Sequence, residues 1–260
     1  MTGQKQSAAS AKSIIIKPIT SASAARIVRK YHYSGKVVNS SQLHFGIFLD
    51  GRCEGAMQFG PSMDKRKLQG LVKDTKWTGF IELNRMALSD KLPRNSESRA
   101  IAIALRLIKK HYPHIEWVVS FADATQCGDG TIYRAAGFVL TGMRKNTNII
   151  RLPDGQIATA MTYSKGRHIL DGGGSKIPEG AERLAGFQLR YIYFMNPDVR
   201  ARLTVPELPF SRIAEAGAGM YKGQARGKHK VNAPAVPAGE GGSIPTPALH
   251  SKRKIKPCPR

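Results

Sequence analysis

Residues 117–138, with the sequence WVVSFADATQCGDGTIYRAAGF, constrain the fold more than any other segment. The apolar run at its start is typical of a buried strand, which ends near Asp123. A loop with Gly128 and Gly130 follows, and then a short helical segment that carries Tyr133. A carboxylate at a strand end, with a tyrosine on the next helix, lies where open α/β sheets bind ligands, in the crevice beyond the strand ends. The segment therefore predicts an α/β sheet and a site at its edge.

Hydrophobic periodicity and turn signals predict the other elements. The predicted strands are 13–19, 43–49, 53–59, 80–88, 116–122, 139–145 and 158–164, and the predicted helices are 20–31, 95–110 and 130–136. The last two strands are expected to pair antiparallel, and residues 61–76 to form a solvated loop. This order, β-α-β-β-β-α-β-α-β-β, predicts a mixed sheet with helices on both faces, which is an α/β (α+β) fold.

Charge favours a polyanionic partner. Forty-one Lys and Arg against 18 Asp and Glu give a net charge of +23. Binding to such a partner weakens as salt rises, and nucleic acid is the leading candidate. The alternative is a generally basic chain without a specific ligand. From Lys222 onward, nine Lys or Arg accompany the single Glu240, so this segment is either an arm that grips phosphates or a solubilising tail.

Length and composition predict one domain with extensions. We expect a flexible N-terminus (1–12), a catalytic domain (13–166), an extension packing on or beside it (167–221) and a basic disordered tail (222–260). The three cysteines lack a C-x-x-C pair, which argues against a disulfide framework and a structural zinc site. The absence of a long apolar run predicts no membrane partner, and the host-cell cytoplasm is the expected location.

Several motifs carry a family resemblance. The segment Tyr133-x-x-x-Gly137-Phe138 resembles a motif of GNAT-type acyltransferases. More narrowly, YHYSG at 31–35, ELNRMAL at 82–88, LPRNSES at 92–98 and SFAD at 120–123 resemble the Mom DNA-modification proteins of Mu-like bacteriophages, over about residues 13–165. This resemblance implies a GNAT-like transferase that converts adenine to N6-carbamoylmethyladenine in double-stranded DNA and thereby protects phage DNA from host restriction endonucleases. Acetyl-CoA is the donor proposed for that family.

The resemblance also implies five catalytic positions, with Tyr33 close by. They are His32, Arg85, Ser98, Asp123 and Tyr133.

Each of these residues also has an ordinary structural explanation. His32 suits a general base or a metal ligand, or else it caps the end of a helix. Asp123 can accept a hydrogen from the adenine amine, bind a metal or cap the following turn. Tyr133 can protonate a leaving group or ligate iron, or it packs on the sheet. Arg85 lies among apolar strand residues and needs a partner, either a substrate anion or a carboxylate such as Glu82 or Asp123.

The cofactor loop departs from the acyltransferase pattern. Residues 90–96 contain no glycine, whereas GNAT enzymes place spaced glycines around the CoA pyrophosphate. The free N–H groups of the following helix, together with Arg94, Asn95, Ser96 and Ser98, remain candidates for holding a pyrophosphate, although Ser98 also suits simple capping. Transfer of a carbamoylmethyl group joins nitrogen to a methyl-derived carbon, which ordinary acyl transfer does not do. Fe²⁺ held by His32, Asp123 and a tyrosine is therefore a hypothesis.

Access to the adenine requires base flipping, because its N6 amine is paired inside the duplex. Tyr31, Tyr33, Trp77 and Phe59 are candidates for stacking on the flipped base, with core packing as the alternative for Phe59. Phosphate contacts are expected from Lys65, Arg66 and Lys67, from Lys73 and Lys76, and from the basic tail. The loop 61–76 is then either a DNA-facing lid or simply a solvated loop.

Two other function classes stay open. One is a non-catalytic basic DNA-binding or packaging protein, and the other is an acetyl-CoA-dependent N-acetyltransferase acting on protein or small amines. A two-fold-symmetric duplex would favour a homodimer, although no interface is marked in the sequence. A need for host factors is equally open.

Overall fold

The structure is a computed structural model and describes residues 10–32, 34–125, 128–160, 177–184, 186–217, 220–221 and 224–225. The strands are β1 (Ile15–Pro18), β2 (Leu43–Leu49), β3 (Arg52–Gly60), β4 (Phe80–Leu88), β5 (Trp117–Asp123), β6 (Val139–Asn146), β7 (Ile149–Arg151), β8 (Ile157–Thr159), β9 (Glu182–Arg183), β10 (Gly186–Phe194), β11 (Met220–Tyr221) and β12 (Gln224–Ala225). The helices are α1 (Ser21–Tyr31), α2 (Lys65–Gln69), α3 (Ser96–His111), α4 (Thr131–Ala135), α5 (Pro197–Arg200) and α6 (Ser211–Glu215).

A seven-stranded mixed sheet organises the chain, in the order β1-β2-β3-β4-β5-β10-β6. Every neighbouring pair in it is antiparallel except β4 and β5, which are parallel. The strands β7, β8 and β9 form a small second sheet. The predicted mixed α/β fold is therefore confirmed.

Helices cover both faces of the large sheet. On one face, α1 begins where the Thr20 hydroxyl accepts from the Ser23 N–H, and its apolar side packs on Ala56 of β3 and Ala87 of β4. On the opposite face, α3 buries an i, i+3, i+4, i+7 stripe in the main core. That stripe consists of Ile101, Ala104, Leu105 and Ile108. The two helices therefore separate the sheet into an α1 face and an α3 face.

The predicted pairing of 139–145 with 158–164 is wrong. The partner of β6 is β10, which lies between β5 and β6, whereas β8 pairs with β7 in the small sheet. Residues 161–164 lie outside the described residues. The C-terminal region therefore supplies an internal strand of the sheet, next to the edge strand β6. The terminal segments 1–9 and 226–260 also lie outside the described residues, and the predicted domain boundaries remain predictions.

The prediction of a solvated loop at 61–76 is wrong in part. This segment contains α2, and Leu68, Leu71 and Val72 are buried in a second core cluster with Phe80 and Trp117. These two aromatic rings stack at 4.2 Å on the α1 face. Charged residues dominate the sequence of 61–76, but three apolar side chains attach it to the sheet. Within the described residues, no helix is both long and apolar enough to cross a membrane.

Strands β4 and β5 diverge soon after they begin. Their parallel pairing covers only Phe80–Glu82 against Trp117–Val119, although β4 continues to Leu88 and β5 to Asp123. A register shift between β3 and β4 accompanies the divergence. The sheet therefore opens at its centre, next to the predicted site residues of both strands.

Candidate functional site

A β-bulge places two charged residues of β4 on the same face. Gln58 lies opposite Arg85 and Phe59 lies opposite Leu83, so Asn84 is the extra residue of the bulge. Simple alternation along a strand would put Glu82 and Arg85 on opposite faces. Because of the bulge, both lie on the α1 face, at the point where β4 leaves β5.

Glu82 is a half-buried carboxyl group in a polar setting. Burial raises its pKa above the ordinary value, while the Ser62 hydroxyl, the Asn84 side chain and the charge of Arg85 partly oppose the rise. Such a carboxyl has an increased proton affinity and suits a general base. Glu82 was considered from the sequence only as a partner for Arg85. The signal that sequence reasoning missed is a carboxylate within an otherwise apolar strand.

Arg85 is held by backbone carbonyl groups. Its Nε donates to the Lys36 carbonyl oxygen at 3.0 Å, and another guanidinium nitrogen donates to the Asn84 carbonyl oxygen at 2.7 Å. Among the described residues, none of the ion pairs involves Arg85. The carboxylate alternative, an ion pair with Glu82 or Asp123, is therefore not observed, and Arg85 has backbone carbonyl partners instead.

His32 lies at the end of α1, close to Arg85. Its backbone N–H caps the helix by donating to the Val28 carbonyl oxygen, so the capping alternative is observed. Its Nδ1 accepts from the Ser34 N–H at 3.1 Å and lies 2.8 Å from the Ser34 hydroxyl. Burial, followed by the nearby Arg85 charge, lowers the His32 pKa to about 4. The imidazole is therefore neutral at pH 7 and a weak proton acceptor.

Two further polar residues continue this row across the sheet. Gln58 faces Arg85 on one side and His44 of β2 on the other, and its Nε2 lies 3.4 Å from the His44 Nδ1. The Gln58 side chain is fully buried, and its Oε1 has no hydrogen-bond partner among the described residues. Such a buried acceptor is uncommon in folded proteins. Neither residue was identified from the sequence, because the row depends on strand pairing.

Asp123 ends β5 on the α1 face and caps the turn that follows. Its Oδ1 accepts from the Thr125 N–H at 3.0 Å and lies 3.4 Å from the Asn146 side-chain nitrogen. The turn-capping alternative is therefore observed. Two residues earlier on β5, Phe121 lies opposite Arg190 of β10.

Arg190 is a second half-buried cation that sequence reasoning did not select as a site residue. Its guanidinium donates to the Thr141 hydroxyl at 3.1 Å and to the Thr141 carbonyl oxygen at 2.6 Å, and burial lowers its pKa. No ion pair in the described part of the chain includes it. Two arginines with backbone or hydroxyl partners thus lie on the α1 face of the sheet, one on β4 and one on β10.

Tyr133 lies on the other face of the sheet. Its ring is buried and packs on Phe138 and Tyr191 at centroid distances of 5.5 and 5.4 Å, as its packing alternative predicted. Gly130 before α4 has φ +74°, and a Cβ atom there would lie 2.4 Å from the Tyr191 ring. The glycine in this loop therefore makes room for an aromatic side chain.

Helix α3 lies in the segment that connects β4 to β5, and it begins at Ser96, shortly after β4 ends at Leu88. Asn95 takes the left-handed conformation with φ +71° and does not cap the helix with its side chain. The Ser96 hydroxyl is committed to the Pro93 carbonyl oxygen at 2.6 Å, and the Ser98 hydroxyl lies 3.3 Å from the Asn95 carbonyl oxygen. Arg94 is exposed. Asn95 therefore provides the backbone conformation that a glycine commonly provides in such a loop.

The candidate nucleic-acid residues lie in two places, one on and near α2 and the other at the end of α1. Lys65 lies 4.9 Å from the centre of the Trp77 ring, which is half-exposed, and Arg66 and Lys67 are exposed on α2. Tyr31 packs with the α1 cluster, and the Lys30 ammonium lies over its ring.

Two of the remaining aromatic candidates are accounted for differently. Phe59 is fully buried against Phe45, so core packing explains it. Tyr33 lies outside the described residues.

The described residues do not assemble a metal centre from histidine, cysteine and carboxylate side chains. No three of these side chains come close enough to hold an ion there. The contacts given above for His32 and Asp123 are to different neighbours. The iron hypothesis therefore stays a prediction.

Comparison with known proteins gives matches of two kinds. Residues 13–212 match the model of the Mom protein family. The methylcarbamoylase Mom of Escherichia phage Mu is 38% identical over 198 residues, which cover 74% of this chain and 80% of that protein. Among solved structures, an IAA acetyltransferase from Bacillus cereus gives a TM-score of 0.44 at 11% identity, covering 70% of this chain and 99% of that one. A spermidine/spermine N-acetyltransferase from Vibrio cholerae gives 0.43 at 6% identity, covering 74% and 98%.

Proposed function

Because the chain belongs to the Mom protein family, we propose that it is a transferase that converts adenine to N6-carbamoylmethyladenine in double-stranded DNA. The modified phage DNA then resists host restriction endonucleases. The observation that carries this proposal is the 38% identity over 198 residues to the methylcarbamoylase of phage Mu. The family match at 13–212 includes the divergent strands and all five catalytic candidates.

The α1 face provides groups for the chemistry at N6. The exocyclic amine of adenine is weakly nucleophilic, and it loses a proton when its nitrogen forms a bond to carbon. We assign the removal of that proton to Glu82, whose pKa is raised by burial. The charge of Arg85 stabilises the ionised carboxylate, and His32 is neutral at pH 7, so we assign it to hydrogen bonding and positioning.

An acyl-CoA is the donor we favour, and the start of α3 fits its pyrophosphate in part. The exposed Arg94 and the helix N-terminus, which no side chain caps, suit an anion. The Ser96 hydroxyl does not suit it, because it is buried and bonded to Pro93. When bound, CoA would supply an activated two-carbon unit. Its acyl carbon is not the atom that joins N6 in a carbamoylmethyl group, so we derive no bond-forming step from it, and none from iron.

Nucleoside mass spectrometry tests the proposal directly. Plasmid DNA from Escherichia coli expressing the full chain should contain N6-carbamoylmethyldeoxyadenosine, and DNA from cells without it should not. The variant His32→Ala should lower its amount at least about tenfold, because it removes a ring held beside Arg85. The matched control is His114→Ala, since His114 is exposed in the loop before β5.

The same experiment separates the other function classes. If no modified adenosine forms while the purified chain binds duplex DNA, the non-catalytic DNA-binding alternative replaces the proposal. If the chain instead acetylates amines and the DNA from cells expressing it contains only unmodified adenine, the N-acetyltransferase alternative replaces the proposal.

A further inference from the structure

Met63 is the most exposed large apolar side chain in the described part of the chain. It is 95% exposed, whereas the next, Ile15, is 54% exposed. Single exposed apolar residues are common on protein surfaces and by themselves indicate nothing. The surroundings of Met63 are what distinguish it.

The loop that carries Met63 is attached to the candidate site. The Asn84 side-chain nitrogen donates to the Pro61 carbonyl oxygen at 3.3 Å, and the Asn84 side-chain oxygen accepts from the Ser41 hydroxyl at 2.9 Å. Ser62 is buried, and its hydroxyl hydrogen-bonds to the Glu82 carboxyl group. The residue before Met63 thus contacts the proposed base, while Met63 itself extends into solvent.

Positive charge follows Met63 after one acidic residue, Asp64, which forms an ion pair with Lys67 at 2.9 Å. Lys65 is held over the Trp77 and Phe80 rings at 4.9 and 5.1 Å, and Arg66 next to it is exposed. None of the ion pairs between described residues includes either of these two cations. Cations that lack a protein carboxylate are available for DNA phosphates.

We propose that Met63 is a wedge that enters the duplex and fills the space left by the flipped adenine. This inference rests on the proposed function, because it requires duplex DNA as substrate. Proteins that unstack bases insert apolar side chains, methionine among them, between base steps. The hydrogen bond from Ser62 to Glu82 ties the loop that carries Met63 to the proposed general base, and the Lys65 and Arg66 cations are available for the adjacent DNA backbone.

Fluorescence of 2-aminopurine tests the wedge without any donor. The probe is a set of duplexes with 2-aminopurine opposite thymine, flanked by each of the 16 dinucleotide contexts, because unstacking of this base increases its emission. Full-length protein should increase the emission in at least one context. Met63→Ala should reduce that increase about tenfold, and Met63→Leu should restore it, since leucine is also an apolar wedge.

Two controls distinguish a wedge from a general loss of structure or binding. Ile157→Ala removes another exposed apolar side chain, in the small sheet, and should leave the emission increase unchanged. Anisotropy with a random duplex should give Met63→Ala a Kd within about threefold of the parent, because phosphate contacts dominate affinity. Equal emission for the parent and Met63→Ala, or no emission increase with the parent in any context, overturns the wedge.

The outcomes for the wedge and for the proposed function are separable. Modified adenosine in cells expressing the parent, together with unchanged modification by Met63→Ala, removes the wedge and keeps the function. An emission increase that depends on Met63, together with unmodified DNA from cells, keeps the wedge and removes the transferase function.

Discussion

One inserted residue in β4 decides which side chains form the site. With regular alternation, Glu82 and Arg85 would lie on opposite faces, and the extra residue Asn84 puts them on one face. The amide of Asn84 also attaches the Met63 loop through Pro61. The bulge therefore brings together the proposed base, a cation and the loop before α2.

Glu82→Gln should abolish modification and leave the fold intact. Removing a general base commonly costs about a hundredfold or more in rate. The raised pKa means that the folded state disfavours the ionised carboxyl group, so the neutral amide should not lower stability at pH 7. With the parent, modification should decline as the pH falls through a value above the ordinary carboxyl pKa. The measurement is modified adenosine formed between pH 5 and 9, with the small-molecule fraction of a lysate as donor source.

A second glutamate, the buried Glu54, provides the matched control. Glu54 accepts from the Ser89 hydroxyl at 2.7 Å, and this bond, with Lys91, lowers its pKa. Glu54→Gln should therefore lower the unfolding free energy at pH 7, and its modification activity should decline at low pH as in the parent. If Glu82→Gln keeps activity with the same decline at low pH, Glu82 is not the base.

Single residues were predictable where local geometry decides their role. The turn cap at Asp123 and the helix end at His32 both follow from neighbours close in sequence. The Lys36 partner of Arg85 does not follow from close neighbours, because Lys36 is 49 residues away and reaches Arg85 only through the fold. A sequence pattern indicates that a buried arginine needs acceptors, but it does not say whether they are carboxylates or carbonyl groups.

At the scale of elements, local signals in the sequence predicted most strands, but they did not predict which strands pair when these are distant in sequence. The hairpin of β2 and β3 has Asp50 and Gly51 at positive φ, as its Asp-Gly turn indicates. The insertion of β10 between β5 and β6 was not predicted, because 39 residues separate β6 from β10. Only pairing distant in sequence places Arg190 and Tyr191 against β5.

The loop before α3 provides a test at the same scale. Asn95→Gly should keep both stability and CoA affinity, since glycine adopts φ +71° without strain. Asn95→Ala should lower the unfolding free energy by about 1 kcal/mol, because a Cβ residue other than Asn or Asp is disfavoured there. If the α3 N-terminus binds the pyrophosphate, the alanine variant should also bind CoA several-fold more weakly.

Chemical denaturation and calorimetric titration with CoA measure these two effects. The Asn95 side chain makes no cap hydrogen bond, so a lost cap cannot account for the difference between the variants. Equal stability of the alanine and glycine variants would contradict the requirement for left-handed backbone. Equal CoA affinity in all three proteins would place the cofactor elsewhere.

At the scale of the whole molecule, charge determines how the chain meets its substrate. The net charge is +23, and the segment from Lys222 onward contributes nine Lys or Arg against one Glu. A phosphate-gripping segment and a solubilising one have the same composition, so the sequence alone leaves both open. They differ in the number of counterions released when DNA binds.

Salt dependence of DNA binding therefore decides between them. Replacing Lys252, Arg253 and Lys254 by glutamine should make the slope of log K against log salt shallower by about 2.7, since each phosphate contact contributes about 0.9. The control replaces Arg106, Lys109 and Lys110, which are exposed on α3 on the opposite face from the candidate site, and should change the slope by less than about 1. Anisotropy titrations of the full chain between 50 and 300 mM salt measure both. Equal slopes for the tail variant and the parent would mean that the tail is a solubilising segment. Phosphate binding would then fall to the α1 face, where Arg85 and Arg190 have no carboxylate ion pairs among the described residues.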